Sequence, residues 1–579
     1  MAIFTFDASH RLGNVRAVDT RKVNVQVNSD EDLRKARVGQ LVALSLPGAI
    51  EEWLIGIIDK VIKTPVLEEQ SMTVASDAEE AQETTLPREC VLNTVQLTLV
   101  GTICLTTENK TRFSRSLVQV PEIDGACYVL RDAQLQSFMS LLSFEGATEH
   151  SLEIGRYTID ENAKSYLDGN KLFQRHASLL GSTGSGKSWT VASILEQAAK
   201  LPSSNLIVFD LHGEYRELTY ARHLRIPGPE ELGKADSSLL FLPYWLLNAE
   251  ELQAMFIDRS EFSAHNQVMA FQDTVVAEKK RTLQNLKKTD VLNAFTLDSP
   301  IPFGISNVLK ELERLNTEMV PGSSGKDKQG PFYGQFSRLL VRLSSKVSDK
   351  RYGFLFQAPE SAHDYNSMAE MVMRLMDFSI EKAQIKVIDF SEVPADILPV
   401  IVGLVARLIY QVQFWTDRSK RRPMALVCDE AHLYLPKKDG KNPVEQRAIE
   451  NFEKIAKEGR KYGVALLIIS QRPSDVSSTI LSQCNNVIAL RLTNGDDQAT
   501  VKRLMPESLE GLMDTLPILD IGEALVVGDA VLLPSRIRIH VPNEKPLSAT
   551  INFWDEWNKK PETPDFVKAV ENMRRQNRS

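Results

Sequence analysis

Hydrophobic and polar residues alternate over the first 150 residues, as they do in strands that bury one face. Residues 23–27 (VNVQV) and 95–99 (VQLTL) both show this period of two. The apolar runs around them are short and are interrupted by turn residues such as Pro47 and Gly48. The pattern predicts an N-terminal β-barrel or sandwich over residues 1–150. We expect the acidic segment 77–85 to be a solvated loop or a hairpin tip.

A different pattern begins after residue 150, where near-continuous apolar runs end in polar residues. Such runs are typical of parallel strands that are covered on both faces. We expect a helix after the first run, over residues 188–199, and ligands at the carboxyl ends of the strands. The runs occupy residues 177–180, 206–210, 385–389, 424–429 and 464–469. The sequence therefore predicts an α/β fold with a mostly parallel sheet.

Helical patterns replace the strands between residues 246 and 372, which predicts a helical insertion with a loop at 321–330 (PGSSGKDKQG). The sheet-forming core would then comprise residues 151–245 and 373–545. Strands near 524–527 and 535–541 would close it. Residues 546–579 are expected to form a C-terminal tail with a short helix.

Composition narrows the class of protein. Of the 579 residues, 43% are hydrophobic and 25% are charged, as in a folded protein. The net charge of −8 excludes a histone-like DNA coat but allows a local basic surface. The longest apolar stretch, near 397–406, is about half the ~20 residues that span a bilayer. The N-terminal sequence shows no signal-peptide pattern, and the five cysteines include no CxxC pair. The sequence therefore predicts a cytoplasmic protein that does not contact a membrane.

The segment 181–188 (GSTGSGKS) matches the phosphate-loop pattern G-x-x-x-x-G-K-[ST] at every fixed position, between a predicted strand and a predicted helix. Its glycines let backbone N–H groups point at phosphate oxygens, and the helix adds its positive dipole end. Lys187 would reach the β- and γ-phosphates, and the Ser188 hydroxyl would bind Mg²⁺. The candidate nucleotide-binding residues are Gly181, Ser182, Thr183, Gly184, Ser185, Gly186, Lys187, Ser188 and Trp189.

Two adjacent carboxylates, Asp429 and Glu430, follow the apolar strand at 424–428. Phosphoryl transfer requires charge neutralisation and a positioned nucleophile more than covalent chemistry. Asp429 would hold Mg²⁺ through water, and Glu430 would polarise the attacking water. The sequence thus predicts that the phosphate loop and this acidic pair act on one triphosphate.

Four further residues are candidates for a functional role, but each also has a purely structural interpretation. Gln471 at the end of the strand 464–470 could sense the γ-phosphate, or it is an ordinary strand-end glutamine. Asp210 could lie near the metal and water, or it forms a structural turn in the segment DLHGEY. Arg460 could reach a neighbouring subunit as an arginine finger, or it is a surface arginine. Arg175 is a weaker candidate for that role.

The segments RHASLLGSTGSGKS, FDLHGEY, CDEAH, EGRKYG and SQRPSDV resemble, in order, the HerA branch of the HerA/FtsK ATPases. The resemblance covers about residues 150–540, and the N-terminal strands are similar to the HAS barrel of this family. It implies a RecA-like core with a helical insertion, and a hexameric ring that moves along duplex DNA in its central pore using ATP and Mg²⁺. By the same resemblance, Arg460 matches the trans-acting finger and Arg175 a second arginine near the subunit boundary.

The resemblance also implies a partner, either a nuclease (NurA-like or another) or a sirtuin-like NAD-consuming effector, the latter in antiphage defence. Two other functions remain open. One is a ring scaffold in which ATP assembles an effector with little DNA pumping. The other is a DEAH-type helicase, since 429–432 spells that box. The sequence lacks that class's linker and finger motifs and a second sheet of sufficient length. Basic clusters at 279–281, 287–288, 418–422 and 437–438 are candidate DNA contacts or solvated faces.

Overall fold

The structure is a computed structural model that describes most of the chain. The described residues are 3–46, 52–73, 83–105, 110–117, 119–234, 236–321, 326–376, 385–437, 443–506, 509–548, 552–559 and 565–576. They form two units. The first comprises Met1–Thr190, Arg472–Ser474 and Asn485–Val541, and the second comprises Val191–Gln471, Asp475–Cys484 and Pro542–Ser579.

The first unit begins with a β-barrel. Six strands close it in the order β2-β1-β7-β3-β4-β5, through pairing of β2 with β5, and β6 adds to the outer side of β5. Alternate side chains of these strands, such as Val23, Val25 and Val27, fill the barrel interior. The strands are β1 (Arg11–Asp19), β2 (Lys22–Val27), β3 (Leu41–Ser45), β4 (Trp53–Thr73), β5 (Glu83–Leu105), β6 (Thr111–Ser114) and β7 (Ala126–Val129), with helices α1 (Asp30–Leu33) and α2 (Asp132–Gly146).

A second set of strands in the first unit carries the phosphate loop. Their order is β10-β18-β19-β20-β8-β9, and only β10 and β18 run parallel. The strands are β8 (Ser151–Tyr157), β9 (Asp160–Asp168), β10 (Ala177–Leu180), β18 (Asn486–Leu490), β19 (Glu523–Val527) and β20 (Ser535–Ile539). The helices are α3 (Gly169–Gln174), α4 (Lys187–Ala198), which continues into the second unit, α15 (Gly495–Leu504) and α16 (Glu510–Met513).

The second unit contains five parallel strands in the order β12-β15-β11-β16-β17. Because they are parallel, their carboxyl ends share one edge. They are β11 (Leu206–Asp210), β12 (Ala221–Arg225), β15 (Ile385–Asp389), β16 (Met424–Cys428) and β17 (Val464–Ser470). Helices α12 (Leu398–Trp415) and α13 (Pro443–Tyr462) precede β16 and β17, and α14 (Ser478–Leu481) follows them. The C-terminal helices are α17 (Phe553–Trp557) and α18 (Phe566–Arg575).

Seven helices and a short hairpin lie between β12 and β15, in the region where the sequence predicts an insertion. The helices are α5 (Ala249–Phe256), α6 (Ala264–Asn285), α7 (Thr289–Ala294), α8 (Ile305–Thr317), α9 (Ser337–Ser348), α10 (Gly353–Phe356) and α11 (Ser367–Met376), and the hairpin joins β13 (Met319–Pro321) to β14 (Asp327–Gln329). A buried ion pair joins α5 to α12: the Arg407 guanidinium donates to both carboxylate oxygens of Glu251, at 2.9 and 2.7 Å.

Helix α12 is long and apolar enough to span a membrane by length and composition alone, but 72% of it is buried within the protein. Its side chains pack on the sheet and on α13, as those of a core helix do. A surface helix needs apolar residues on one face only, whereas a largely buried helix is apolar on most of its faces. The burial of α12 therefore explains its long apolar run.

The predicted α/β class, with an N-terminal β-barrel, a RecA-like core and a helical insertion, is confirmed. The sheet departs from expectation in the first unit, where β18, β19, β20, β8 and β9 pair antiparallel. Adjacent strands joined by a tight turn, such as β8 and β9, can pair only in this way. The predicted loop at 321–330 is instead partly a hairpin. In the acidic segment, residues 77–82 lie outside the described residues, and 83–85 begin β5. The domain boundaries remain predictions.

Candidate functional site

The phosphate loop joins the buried strand β10 to helix α4 in the first unit. Gly184 and Gly186 have φ values of +71° and +106°, in the left-handed region that favours glycine. At Gly181 the constraint is space, because a Cβ atom would lie 2.6 Å from Ser185 Oγ and 2.8 Å from Leu490 Cβ. The fixed glycines of the motif are therefore required by backbone conformation and by close packing.

Hydrogen bonds hold the loop in this curl without using its tip. Ser182 donates from its backbone N and its Oγ to the carbonyl oxygen of Arg491, at 2.9 and 2.6 Å. Ser185 Oγ donates to Ser182 O at 2.7 Å. The loop is thus anchored to the segment after β18 by hydrogen bonds of its own residues.

The side chains of Lys187 and Ser188 differ in their hydrogen bonding. Lys187 is 7% exposed, and its ammonium group donates to Ser182 O at 3.1 Å, so it folds back over the loop. Ser188 is half-buried in the first turn of α4, and its hydroxyl has no hydrogen-bond partner among the described residues. An ammonium group beside a glycine-rich loop suits a phosphate, and an available hydroxyl suits Mg²⁺.

The acidic pair lies at the carboxyl end of β16, in the second unit. Asp429 and Glu430 are each 6% exposed. Asp429 Oδ1 accepts from the backbone N–H of Glu430 at 2.9 Å, and Oδ2 accepts from the hydroxyl of Tyr215 at 3.0 Å. Burial, and next the nearby carboxylates of Glu430 and Glu214, raise the pKa of Asp429 to about 8. Two adjacent buried carboxylates attract a cation, because its charge favours their ionised form.

Glu430 has an unusual backbone conformation, with φ +45° and ψ +43°. A non-glycine residue in the left-handed region is strained and is common at functional sites. Its side chain accepts a hydrogen bond from Gln471 Nε2 at Oε1, and the His432 ring lies 3.3 Å from Oε2. The structure therefore brings Gln471, the predicted sensor, onto the carboxylate that is predicted to polarise water.

Asp210 lies at the carboxyl end of β11 and folds the turn that follows it. Its carboxylate accepts four backbone N–H bonds, from residues 212 to 215, at 2.8–3.1 Å. These contacts favour the structural-turn interpretation that the sequence left open. The turn places Tyr215, which is fully buried, against Asp429. Sequence reasoning missed Tyr215 as a functional residue: it is visible in the motif DLHGEY, but no spacing rule links it to residue 429.

The two candidate arginines lie at the amino ends of strands. Arg460 is exposed in the last turn of α13, just before β17 begins, so it lies at the opposite edge of the parallel strands from Glu430 and Gln471. Arg175 precedes β10 and forms an ion pair with Asp529 at 2.7 Å. Arg460 therefore does not contact the acidic pair of its own chain.

Comparison with known proteins identifies the family. The family model "Helicase HerA, central domain" matches residues 152–409, and "Helicase HerA-like C-terminal" matches residues 398–536. The chain is 26% identical over 452 residues to the DNA double-strand break repair helicase HerA of Pyrococcus furiosus, covering 70% of this chain and 74% of that protein. It is 25% identical over 445 residues to the protein of the same name from Saccharolobus solfataricus, covering 76% and 77%.

Among solved structures, VirB4 of Thermoanaerobacter pseudethanolicus aligns with a TM-score of 0.45 and 17% identity, covering 68% of this chain and 97% of that one. The two family models together span the phosphate loop, the acidic pair and Gln471, and the DEAH-type alternative is excluded. The chain therefore belongs to the HerA family of helicase ATPases.

Proposed function

We propose that this protein is an ATP-driven motor that translocates along duplex DNA as a homo-hexameric ring. The observation that carries the proposal is the phosphate loop, with glycines held at positive φ and the Lys187 ammonium bonded back to Ser182 O, in a chain of the HerA family. The relatives are named as DNA double-strand break repair helicases, which supports DNA as the track.

The proposed roles follow from the chemistry of each side chain. Lys187 holds the β- and γ-phosphates, and the backbone of residues 181–186 cradles them, with Trp189 in the first helical turn beside them. Ser188 and Asp429 are the proposed magnesium ligands, Asp429 through water. When bound, Mg²⁺ neutralises charge on the phosphates. The oxygens of Ser188 and Asp429 are hard ligands of the kind that this ion prefers.

Hydrolysis requires a water that attacks the γ-phosphorus while the bond to the bridging oxygen breaks. We propose that Glu430 accepts the proton of this water. The hydrogen bond from Gln471 supports the assignment, because it fixes the orientation of the Glu430 carboxylate. It also connects this carboxylate to the end of β17. Arg460 is proposed to act on the nucleotide of a neighbouring protomer, and Arg175 at the same boundary. A catalytic role for Asp210 would be indirect, through the turn that it holds.

The partner proposed for the ring is a nuclease, NurA-like or another, or a sirtuin-like NAD-consuming effector, with a role in DNA end processing or antiphage defence. We place the protein in the cytoplasm. The described cysteines Cys104, Cys127, Cys428 and Cys484 are unpaired, which supports a reducing compartment.

The test separates nucleotide binding from turnover. Lys187→Ala should abolish ATP binding, because the phosphates lose their one loop cation. Glu430→Gln should bind ATP normally and hydrolyse it at least 100-fold more slowly, since the amide cannot accept the proton. ATPase activity of the unaltered protein should rise on addition of duplex DNA.

Normal hydrolysis by Glu430→Gln would contradict the role of Glu430. An ATPase indifferent to duplex DNA, in a ring that still assembles with ATP, would instead favour the scaffold function. Mass photometry with ATP and duplex DNA measures the number of protomers directly.

A further inference from the structure

An arginine-lined cleft opens between the barrel and the strands β8 and β20 of the first unit. Its volume is about 1500 Å³. Six arginines line it, and they come from both walls: Arg34, Arg37 and Arg131 from the barrel side, and Arg156, Arg536 and Arg538 from the sheet side. Its lining residues include no residue of the phosphate loop or of the acidic pair.

The arrangement of the sheet-side arginines is electrostatically unfavourable by itself. Arg156 on β8 pairs directly with Arg538 on β20, and Arg536 lies two residues away on the same face. Like charges in directly opposite positions of an antiparallel pair destabilise it. Glu523 offsets part of this charge, because its carboxylate accepts from both Arg536 and Arg538. Arg156 bonds only the backbone oxygen of Glu161 among the described residues.

The barrel wall adds positive charge that nothing opposite neutralises. Arg34 and Arg37 are exposed, and neither forms an ion pair in the described part of the chain. Among the described residues that line the cleft, six are arginines and three carry carboxylates, namely Asp132, Glu161 and Glu523. Asp520, outside this lining, lies 3.8 Å from Arg538. The cleft therefore retains a cationic excess, which an anion of matching extent would relieve.

The side chains indicate which anion fits. Guanidinium forks bind phosphate with two parallel hydrogen bonds. Most apolar lining residues are buried in the fold, such as Leu41 at 2% and Leu533 at 1% exposure. The lining includes no exposed Phe, Tyr or Trp among the described residues, and Tyr157 is 4% exposed. Because the cleft has no exposed aromatic side chain, it can bind a sugar–phosphate backbone but cannot stack with unpaired bases.

We propose that this cleft binds the phosphodiester backbone of duplex DNA, as a second contact apart from the ATPase core. The proposal rests on the proposed function in one respect, that DNA is the track of the motor. Contact through phosphates alone is independent of base sequence, which a moving protein requires. It also makes binding sensitive to salt, because each neutralised phosphate releases counterions.

The test replaces Arg34 and Arg37 together, as Arg34→Gln/Arg37→Gln, in the full chain. The matched control is Arg21→Gln/Lys22→Gln, which removes the same charge from an exposed turn of the same barrel outside the cleft. Binding of a fluorescent 30-base-pair duplex is measured by anisotropy between 50 and 200 mM salt. Basal ATPase activity without DNA reports that the fold is intact, and Arg34→Glu/Arg37→Glu provides a stronger variant of the same test.

We expect the cleft variant to bind the duplex roughly tenfold more weakly at 100 mM salt. The magnitude of the slope of log K against log salt should fall by about 1.8, because each of the two lost phosphate contacts contributes about 0.9. The control should keep the affinity and slope of the unaltered protein. Equal affinity and slope for the cleft variant and the control would overturn the proposal.

Other outcomes also decide the question. If poly-glutamate binding falls in the cleft variant while DNA binding does not, the cleft is a docking site for an acidic protein segment and the proposal is wrong. If the unaltered protein binds no duplex DNA, the proposed motor function fails together with this proposal. If the unaltered protein binds duplex DNA and the cleft variants bind it equally well, this proposal fails and the motor function stands.

Discussion

The hydroxyl of Tyr215 provides the most direct way to perturb the proposed magnesium ligand without touching it. It donates a 3.0 Å hydrogen bond to Asp429 Oδ2, and both residues are buried. The change Tyr215→Phe removes this one donor and preserves the ring. We expect weaker binding of Mg²⁺-nucleotide, because Asp429 must be ionised to hold the ion.

The size of the effect follows from two quantities. A hydrogen bond to a charged group contributes about 1.5–3 kcal/mol, which corresponds to about 1–2 pKa units. The pKa of Asp429 is about 8. Loss of the donor moves it further up, so the Mg²⁺ concentration for half-maximal binding should rise about 10- to 150-fold at pH 7. At pH 9 most of Asp429 is ionised in the unaltered protein, and the deficit should narrow to about 2- to 15-fold.

The assay is a Mg²⁺ titration of a fluorescent, non-hydrolysable ATP analogue at pH 7 and pH 9. Tyr434→Phe is the matched control, because Tyr434 is equally buried but donates to the backbone oxygen of Asp429 at 2.9 Å. It should destabilise the fold to a similar extent and leave the Mg²⁺ midpoint within twofold. Equal shifts in the two variants, or a deficit that does not change with pH, would refute the reasoning.

Two further predictions concern stability and assembly. Arg407→Met leaves the buried carboxylate of Glu251 without its partner, at about 3–5 kcal/mol. Calorimetry should show a melting temperature roughly 4–7 °C lower for a unit of about 330 residues, and a drop below 1 °C would show that the pair is dispensable. Arg460→Ala should bind ATP but hydrolyse it poorly, and mixing it with Lys187→Ala protein should restore activity. Failure of every mixture to hydrolyse ATP would contradict action in trans.

The sequence was sufficient where chemistry is local. The phosphate loop is contiguous, so its fixed glycines, Lys187 and Ser188 predict a nucleotide site without knowledge of the fold. The apolar runs predicted at 206–210, 385–389, 424–429 and 464–469 correspond to β11, β15, β16 and β17, because strands buried on both faces have no polar alternation. The left-handed φ of Gly184 and Gly186 is likewise a property of one segment.

The tertiary structure decided what depends on residues far apart in the chain. Only the parallel register of β11 and β16 brings the turn of Asp210 beside Asp429, so only the fold shows that Tyr215 donates to that carboxylate. The cleft is a similar case, because Arg34 and Arg538 both line it although they are more than 500 positions apart in the chain. Composition and periodicity show which side chains a chain carries, whereas strand pairing determines which charged side chains lie close together in the fold.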